Sequence, residues 1–205
     1  MSVDTNLIKS PYKREKFNQQ QIEEIVKCTQ DPQYFIENFV WIQHPVKGRL
    51  KFDLFDFQKG LLDAYHNHRY SIALISRQMG KSTAAGAYLL WYAMYVPDQT
   101  ILIAAHKYSG AQEIMQRIRC AYELLPDHVR AGCTAYNKGS LEFDNGSRII
   151  AQATTENTGR GLSISLAYLD EFAFVRPSIA REFWTSLSPT LSTGGKCIIT
   201  STPNQ

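Results

Sequence analysis

Apolar residues near the start of the chain recur at helical spacing. Asn18 is an N-cap for a helix that carries Ile22, Ile25 and Val26 on one face. Asp31-Pro32 opens a second helix, with proline at its first position, which buries Tyr34, Phe35 and Phe39. Residues 43–52 read as a turn or hairpin. Phe57, Leu61 and Tyr65 then predict a third helix.

After that the pattern changes to short apolar runs separated by amphipathic helices. Residues 71–75, 100–105, 165–169 and 196–201 predict buried strands. Residues 81–95, 109–125 and 178–187 predict helices, the first ended by Pro97 and the second by Pro126. Asp144-Asn145-Gly146, between runs at 141–143 and 148–153, is a tight-hairpin signal. Strands alternating with helices predict an α/β fold whose mostly parallel sheet is covered on both faces.

Composition narrows this further. The 205 residues are 44% hydrophobic and 20% charged, which suits one globular domain and excludes a disordered or fibrous chain. The 22 basic and 19 acidic residues leave a net charge of +3, so a DNA-binding face would have to be local. Cys28, Cys120, Cys133 and Cys197 have neither C-x-x-C nor zinc-ligand spacing and read as reduced, buried thiols of an intracellular protein. Residues 1–17 are polar and basic, without the apolar run of a signal peptide, and read as a flexible lead-in. The longest apolar stretch, 84–96, is too short to span a bilayer, so no membrane role is expected.

The chemistry lies where strands meet loops. Ser76-Arg77-Gln78-Met79-Gly80-Lys81-Ser82-Thr83 follows a predicted strand and opens a predicted helix, matching most of G-x-x-x-x-G-K-[ST]. Gly80 lets the backbone approach phosphate oxygens, and the helix N-terminus offers free N–H groups. Lys81 would reach the β and γ phosphates, and the Ser82 hydroxyl would ligate Mg²⁺. Ile75 stands where the pattern has its first glycine. A second signal is the apolar strand that ends in Asp170-Glu171. There Asp170 would hold Mg²⁺ and Glu171 would orient the attacking water.

Further residues are suggestive only in company. Thr200, Ser201 and Thr202 end the last strand with three hydroxyls placed to sense a γ-phosphate. Gln58, beside Phe57, has an amide able to read an adenine edge, with the aromatic stacking on the base. Arg77 in the loop and Arg160 between Gly159 and Gly161 are candidates for stabilising transition-state charge. Viewed singly, a surface glutamine, a hydroxyl-capped strand end and a solvated Arg160 are the plainer readings.

Taken in order, the Phe57-Gln58 pair, S-R-Q-M-G-K-S, N-K-G-S-L-E-F-D-N-G-S (137–147), L-A-Y-L-D-E-F-A-F and I-I-T-S-T-P-N resemble the ATPase domain of large terminase subunits. These are the DNA-packaging motors of tailed double-stranded DNA phages, and the likeness is to the contractile-tailed branch. A phosphate loop without its first glycine is typical of that family. The resemblance implies a P-loop NTPase (RecA-like, ASCE type) over residues 18–205, with ATP and Mg²⁺ as cofactors. It implies an adenine contact for Gln58, nucleotide binding by residues 76–83, and Mg²⁺ binding by Ser82 and Asp170. Catalysis would fall to Glu171, Lys81 and Arg77 in cis, with Arg160 a finger proposed in some members to act in trans. Coupling of hydrolysis to DNA movement would fall to Thr200, Ser201 and Thr202, where Ser201 stands for a more usual threonine. The implied partners are double-stranded DNA, the portal protein, the small terminase subunit and further copies in a homo-oligomeric ring on the procapsid. The implied location is the cytoplasm of the infected host. Full members continue into a lid and an RNase H-like nuclease domain, and on this reading both lie outside the chain. The alternatives are a superfamily-2 helicase-like translocase, which would need a second RecA-like domain, and a P-loop kinase of a small molecule.

Overall fold

The computed structural model describes residues 7–44 and 46–203. Three helices come first: α1 (Gln19–Gln30), α2 (Pro32–Phe39) and α3 (Asp56–Asn67). A two-stranded antiparallel ribbon, β1 (Trp41–His44) and β2 (Gly48–Lys51), lies between α2 and α3. The sheet region follows: β3 (Tyr70–Leu74), α4 (Lys81–Tyr95), β4 (Thr100–Ala105), α5 (Tyr108–Glu123), β5 (Cys133–Tyr136), β6 (Ser140–Phe143), β7 (Arg148–Ala153), β8 (Leu166–Asp170), α6 (Pro177–Leu191) and β9 (Lys196–Ser201).

Local chemistry explains the helix starts. The Asn18 side chain accepts from the Gln21 N–H while the Gln21 amide accepts from the Asn18 N–H, a complete capping box for α1. Asp31 caps α2 through the Gln33 N–H, with Pro32 where its missing N–H costs nothing. At the hairpin tip Gly146 takes φ 83°, and the Asn145 amide donates to Ala93 O and Met94 O at the end of α4. That bond ties the β6–β7 turn to the C-terminus of the helix that begins at the phosphate loop.

Seven strands form one sheet in the order β3-β9-β8-β4-β7-β6-β5. The first five are parallel, and β6 and β5 add antiparallel pairs, so the mostly parallel α/β fold is as predicted. α2 to α5 pack on one face around Ile101, Ile103, Tyr168 and Ile198. α6 covers the other with Phe183, Leu187 and Leu191 against Leu102, Ala167 and Leu169. Among the described residues no helix is long and apolar enough to cross a membrane.

Several expectations need correction. The 71–75 strand was expected to be buried, but β3 is an edge strand, with Ile72 75% and Leu74 67% exposed. Among the described residues it pairs with β9 alone. The buried face of α3 is Gln58, Leu62 and Tyr65, one residue on from the predicted Phe57 and Leu61. Apolar identity pointed to Phe57, yet the helix turns a glutamine inward. Ile22 and Val26 of α1 are exposed, and only Cys28 of that helix is buried. Tyr34 and Phe39 are half-buried, and Cys120 is only partly covered. Of the expected flexible lead-in, residues 1–6 lie outside the described residues. Residues 7–17 run against the β5–β6 region: the Cys133 N–H donates to Lys9 O and the Tyr12 N–H to Asp144 Oδ2.

Candidate active site

Parallel strands place all their C-terminal ends on one edge of a sheet, where α/β proteins build their sites. Here that edge gathers the phosphate loop after β3, Asp170 at the end of β8, and Thr200-Ser201 at the end of β9. The register is direct: Asp170 lies opposite both Ala105 and Thr200, and Leu74 opposite Ser201. The ladder carries on past the strands, with the Ile75 N–H donating to Ser201 O at 3.0 Å.

The loop itself is strained. Two of the four described non-glycine residues with positive φ belong to this site, Gln78 (62°) in the loop and Glu171 (51°) after β8. Such conformations cost energy and persist only where neighbours hold them. Gly80 caps α4 with φ 72°, and an added Cβ there would lie 2.7 Å from the Gln58 amide nitrogen. Gln58 is 2% exposed; its amide donates to Met79 O at 3.2 Å and accepts from the Phe55 N–H at 3.1 Å. The structure therefore places Gln58 as a buried brace beneath the phosphate loop, with neither end of its amide open to solvent. The nearby rings of Phe55 and Phe57 stack on each other and are exposed.

Lys81, first residue of α4, is 7% exposed and ion-paired to Glu171 Oε1. A buried ammonium requires such a partner. The other carboxylate oxygen of Glu171 accepts from the Thr202 N–H (2.9 Å), the Thr202 hydroxyl (3.0 Å) and the Ser201 hydroxyl (3.4 Å). Burial pushes the Glu171 carboxyl up, but the bonds from Lys81 and Thr202 outweigh it and hold it below the ordinary carboxylate value. Asp170 accepts through Oδ1 from Ser82 (3.2 Å), Tyr168 (3.0 Å) and Thr200 (3.0 Å).

The two oxygen donors expected to hold Mg²⁺, Ser82 and Asp170, are thus side by side. Among the described residues no group of three or more His, Cys, Asp or Glu side chains is placed to hold a metal ion. Two oxygen donors are a number that Mg²⁺ uses, water and phosphate filling the rest of its shell. Arg77 shares a cavity of about 590 Å³ with His106, Lys107, Glu113, Asp170 and Glu171. The Thr83 hydroxyl accepts from Arg117, which also pairs with Glu113. Arg160 is not in this group; it lines a separate hollow with Arg181 and Glu182 on the α6 side.

Two contributors escaped the sequence reading. Tyr168 sat inside an apolar run and looked like packing, although its place two residues before Asp170 puts both on one face of the strand. Arg117 carries no sequence signal at all, because its contact with Thr83 depends on how α5 packs against α4.

Comparison with known proteins identifies a family. The family model described as terminase large subunit, T4likevirus-type, N-terminal, matches residues 72–205. Among solved structures, the bacteriophage HK97 large terminase superposes with a TM-score of 0.67 at 20% identity, over 85% of this chain and 37% of that one. The ATPase domain of the Thermus phage P74-26 large terminase gives 0.55 at 21% identity, over 75% of this chain and 66% of that one. A thermophilic bacteriophage large terminase in complex with ADP gives 0.54 at 11% identity, over 72% and 39%. The chain thus spans little more than a third of the HK97 protein. At these identities the structures speak for the fold, and the family match removes the helicase and kinase alternatives. With the phosphate loop, the acidic strand end and the hydroxyl strand end all inside the matched residues, the chain belongs to the T4-like large terminase subunit family, in its N-terminal part.

Proposed function

We propose that this chain is the ATP-hydrolysing motor portion of a phage terminase, driving double-stranded DNA into a procapsid. The observation that carries the reading is the meeting of Lys81, Ser82, Asp170 and Glu171 at one sheet edge, with Arg77 in the same cavity. The ADP-bound relative supports nucleotide as the ligand. On this reading residues 18–205 form the ATPase portion, and nuclease activity belongs to the lid-and-nuclease half of a whole large terminase.

The N-terminus of α4 and the backbone of residues 76–83 cradle the phosphates. Lys81 exchanges Glu171 for phosphate oxygens, since a triphosphate offers it more negative charge. Glu171, freed from that pair, accepts the proton of the attacking water and aligns it. Ser82 and Asp170 would hold Mg²⁺, which when bound would neutralise phosphate charge. Arg77 stabilises charge in cis, and Arg160, facing away from the site of its own chain, serves that of a neighbour in the ring. Thr202 and Ser201, bonded to Glu171, pass the event to β9 as the coupling segment with Thr200. Gln58 steadies the loop from below, and the Phe55–Phe57 pair offers an aromatic face to the base. Portal protein, small terminase subunit, a homo-oligomeric ring and the host cytoplasm complete the setting.

The test is ATP hydrolysis by the whole terminase carrying Lys81→Ala or Glu171→Gln. Each substitution is expected to lower kcat by at least about a hundredfold, the scale of losing one transition-state stabiliser. Wild-type rates from both proteins would refute the assignment.

A further inference from the structure

The hydroxyl of Tyr168 takes no step in the proposed reaction, yet it is fully buried against the carboxylate at the end of β8. Tyr168 is fully buried in the centre of the sheet. Its Oη lies 3.0 Å from Asp170 Oδ1 and 2.8 Å from the Thr200 hydroxyl, which is itself 3.0 Å from the same Oδ1. The three groups form a closed triangle across β8 and β9. Two hydroxyls carry two protons for three contacts, so either both donate to the carboxylate or one donates to the other and is passed along. In every arrangement Oδ1 receives at least one proton-bearing contact from below, and Ser82 adds another from the phosphate-loop side. Oδ2 accepts none from any described residue. The Tyr65 hydroxyl is also buried, with no partner among the described residues.

An ordinary packing role accounts poorly for this. A phenylalanine would fill the same space between α3 and the sheet without placing a hydroxyl against a carboxylate in the core. We propose that Tyr168 is a positioning residue: with Thr200 it pins Oδ1 of Asp170 and so reserves Oδ2 for the divalent cation. The triangle also makes Thr200, on the coupling strand, a direct partner of the cation-holding carboxylate. This inference rests on Asp170 being the Mg²⁺-holding residue of the proposed function.

The experiment titrates the 205-residue chain with a fluorescent ADP analogue, first in EDTA and then at rising Mg²⁺. Outer-shell partners of metal ligands are typically worth about 10–100-fold in metal affinity. Tyr168→Phe is therefore expected to raise the Mg²⁺ midpoint about tenfold or more, while affinity in EDTA stays within about twofold of wild type. A loss of packing alone would weaken binding in both conditions. Thr200→Val is expected to raise the same midpoint, and Thr200→Ser, which keeps the hydroxyl, to restore it. The double variant should fall short of the product of the two single effects, because the side chains act as one unit. A wild-type midpoint in folded Tyr168→Phe overturns the inference. If that variant does not fold, a wild-type midpoint in Thr200→Val does so instead. Asp170→Asn separates the two levels. If it abolishes the Mg²⁺ response while Tyr168→Phe leaves it intact, the positioning role fails and the active-site reading stands. If Asp170→Asn, or the wild-type chain itself, gives an unaltered or absent Mg²⁺ response, both fall.

Discussion

Replacing Gly80 by alanine probes the phosphate loop where backbone conformation and side-chain packing meet. Gly80 has φ 72°, and the left-handed region costs an L-residue roughly 1–2 kcal/mol. The new methyl group would also lie 2.7 Å from the Gln58 amide nitrogen. Gln58 is buried and bonded at both ends, so its amide gives way only by leaving Met79 O, at a further cost of about 0.5–1.5 kcal/mol. The expected loss is therefore about 1.5–3.5 kcal/mol. Urea unfolding followed by the fluorescence of the three tryptophans reads this directly. With a slope of about 2 kcal/mol per M, the midpoint should fall by roughly 1 M. Gln58→Ala removes the obstacle, so in that background Gly80→Ala should keep its backbone cost and lose the rest, a coupling of about 1 kcal/mol. Equal costs in the two backgrounds would refute the claim that Gln58 braces the loop through Gly80. A stable Gly80→Ala protein would refute the strain argument itself.

Two more outcomes follow from the same coordinates. Glu171 has its folded pKa below the ordinary value, so its bonds stabilise the fold fully above the unfolded carboxylate pKa, about 4.3, and that stability is lost as pH falls through the folded value. The stability gap between wild type and Glu171→Gln, measured by urea midpoints, should therefore be constant above pH 6 and shrink in the acid range; a gap independent of pH would contradict the assigned bonds. Ile103→Ala, in the middle of the sheet, should cost about 2–5 kcal/mol, whereas Ile72→Ala on the exposed edge should stay within about 0.5 kcal/mol; thermal melts of the two variants compare them.

Much of the fold was legible because its signals are local. The bounds of α4, β4 and β9 follow from uninterrupted apolar runs and flanking breakers, and the structure has them at the expected residues. The chemistry at the strand ends was legible for a similar reason: a parallel sheet sends every strand's C-terminus to one edge, so motifs far apart in sequence meet there. What stayed hidden depends on neighbours. The run at 71–75 is as apolar as a central strand, and nothing within it says that only one strand pairs with it. Cys133–Tyr136 is too short and mixed to declare itself; it becomes β5 by pairing with β6. Gln58 broke the apolar pattern of its helix, and pattern alone assigned it outward. Its burial is set by the carbonyl of Met79, twenty-one residues away. For Arg160 the sequence left its own site and a neighbour's both open; the hollow it lines, with Arg181 and Glu182, depends on how its loop packs beside α6.

The position of β3 at the margin of the sheet has a mechanical consequence. Among the described residues, the strand bearing the phosphate loop is joined to the rest of the sheet through one ladder, from Tyr70–Cys197 to Leu74–Ser201, prolonged by the Ile75–Ser201 bond. Among the described residues, a sliding load applied along β9 reaches the loop in shear through that ladder and through the contacts from Thr202 to Glu171 and from Glu171 to Lys81. The five registered pairs are thus a direct mechanical route between the phosphate loop and the last strand.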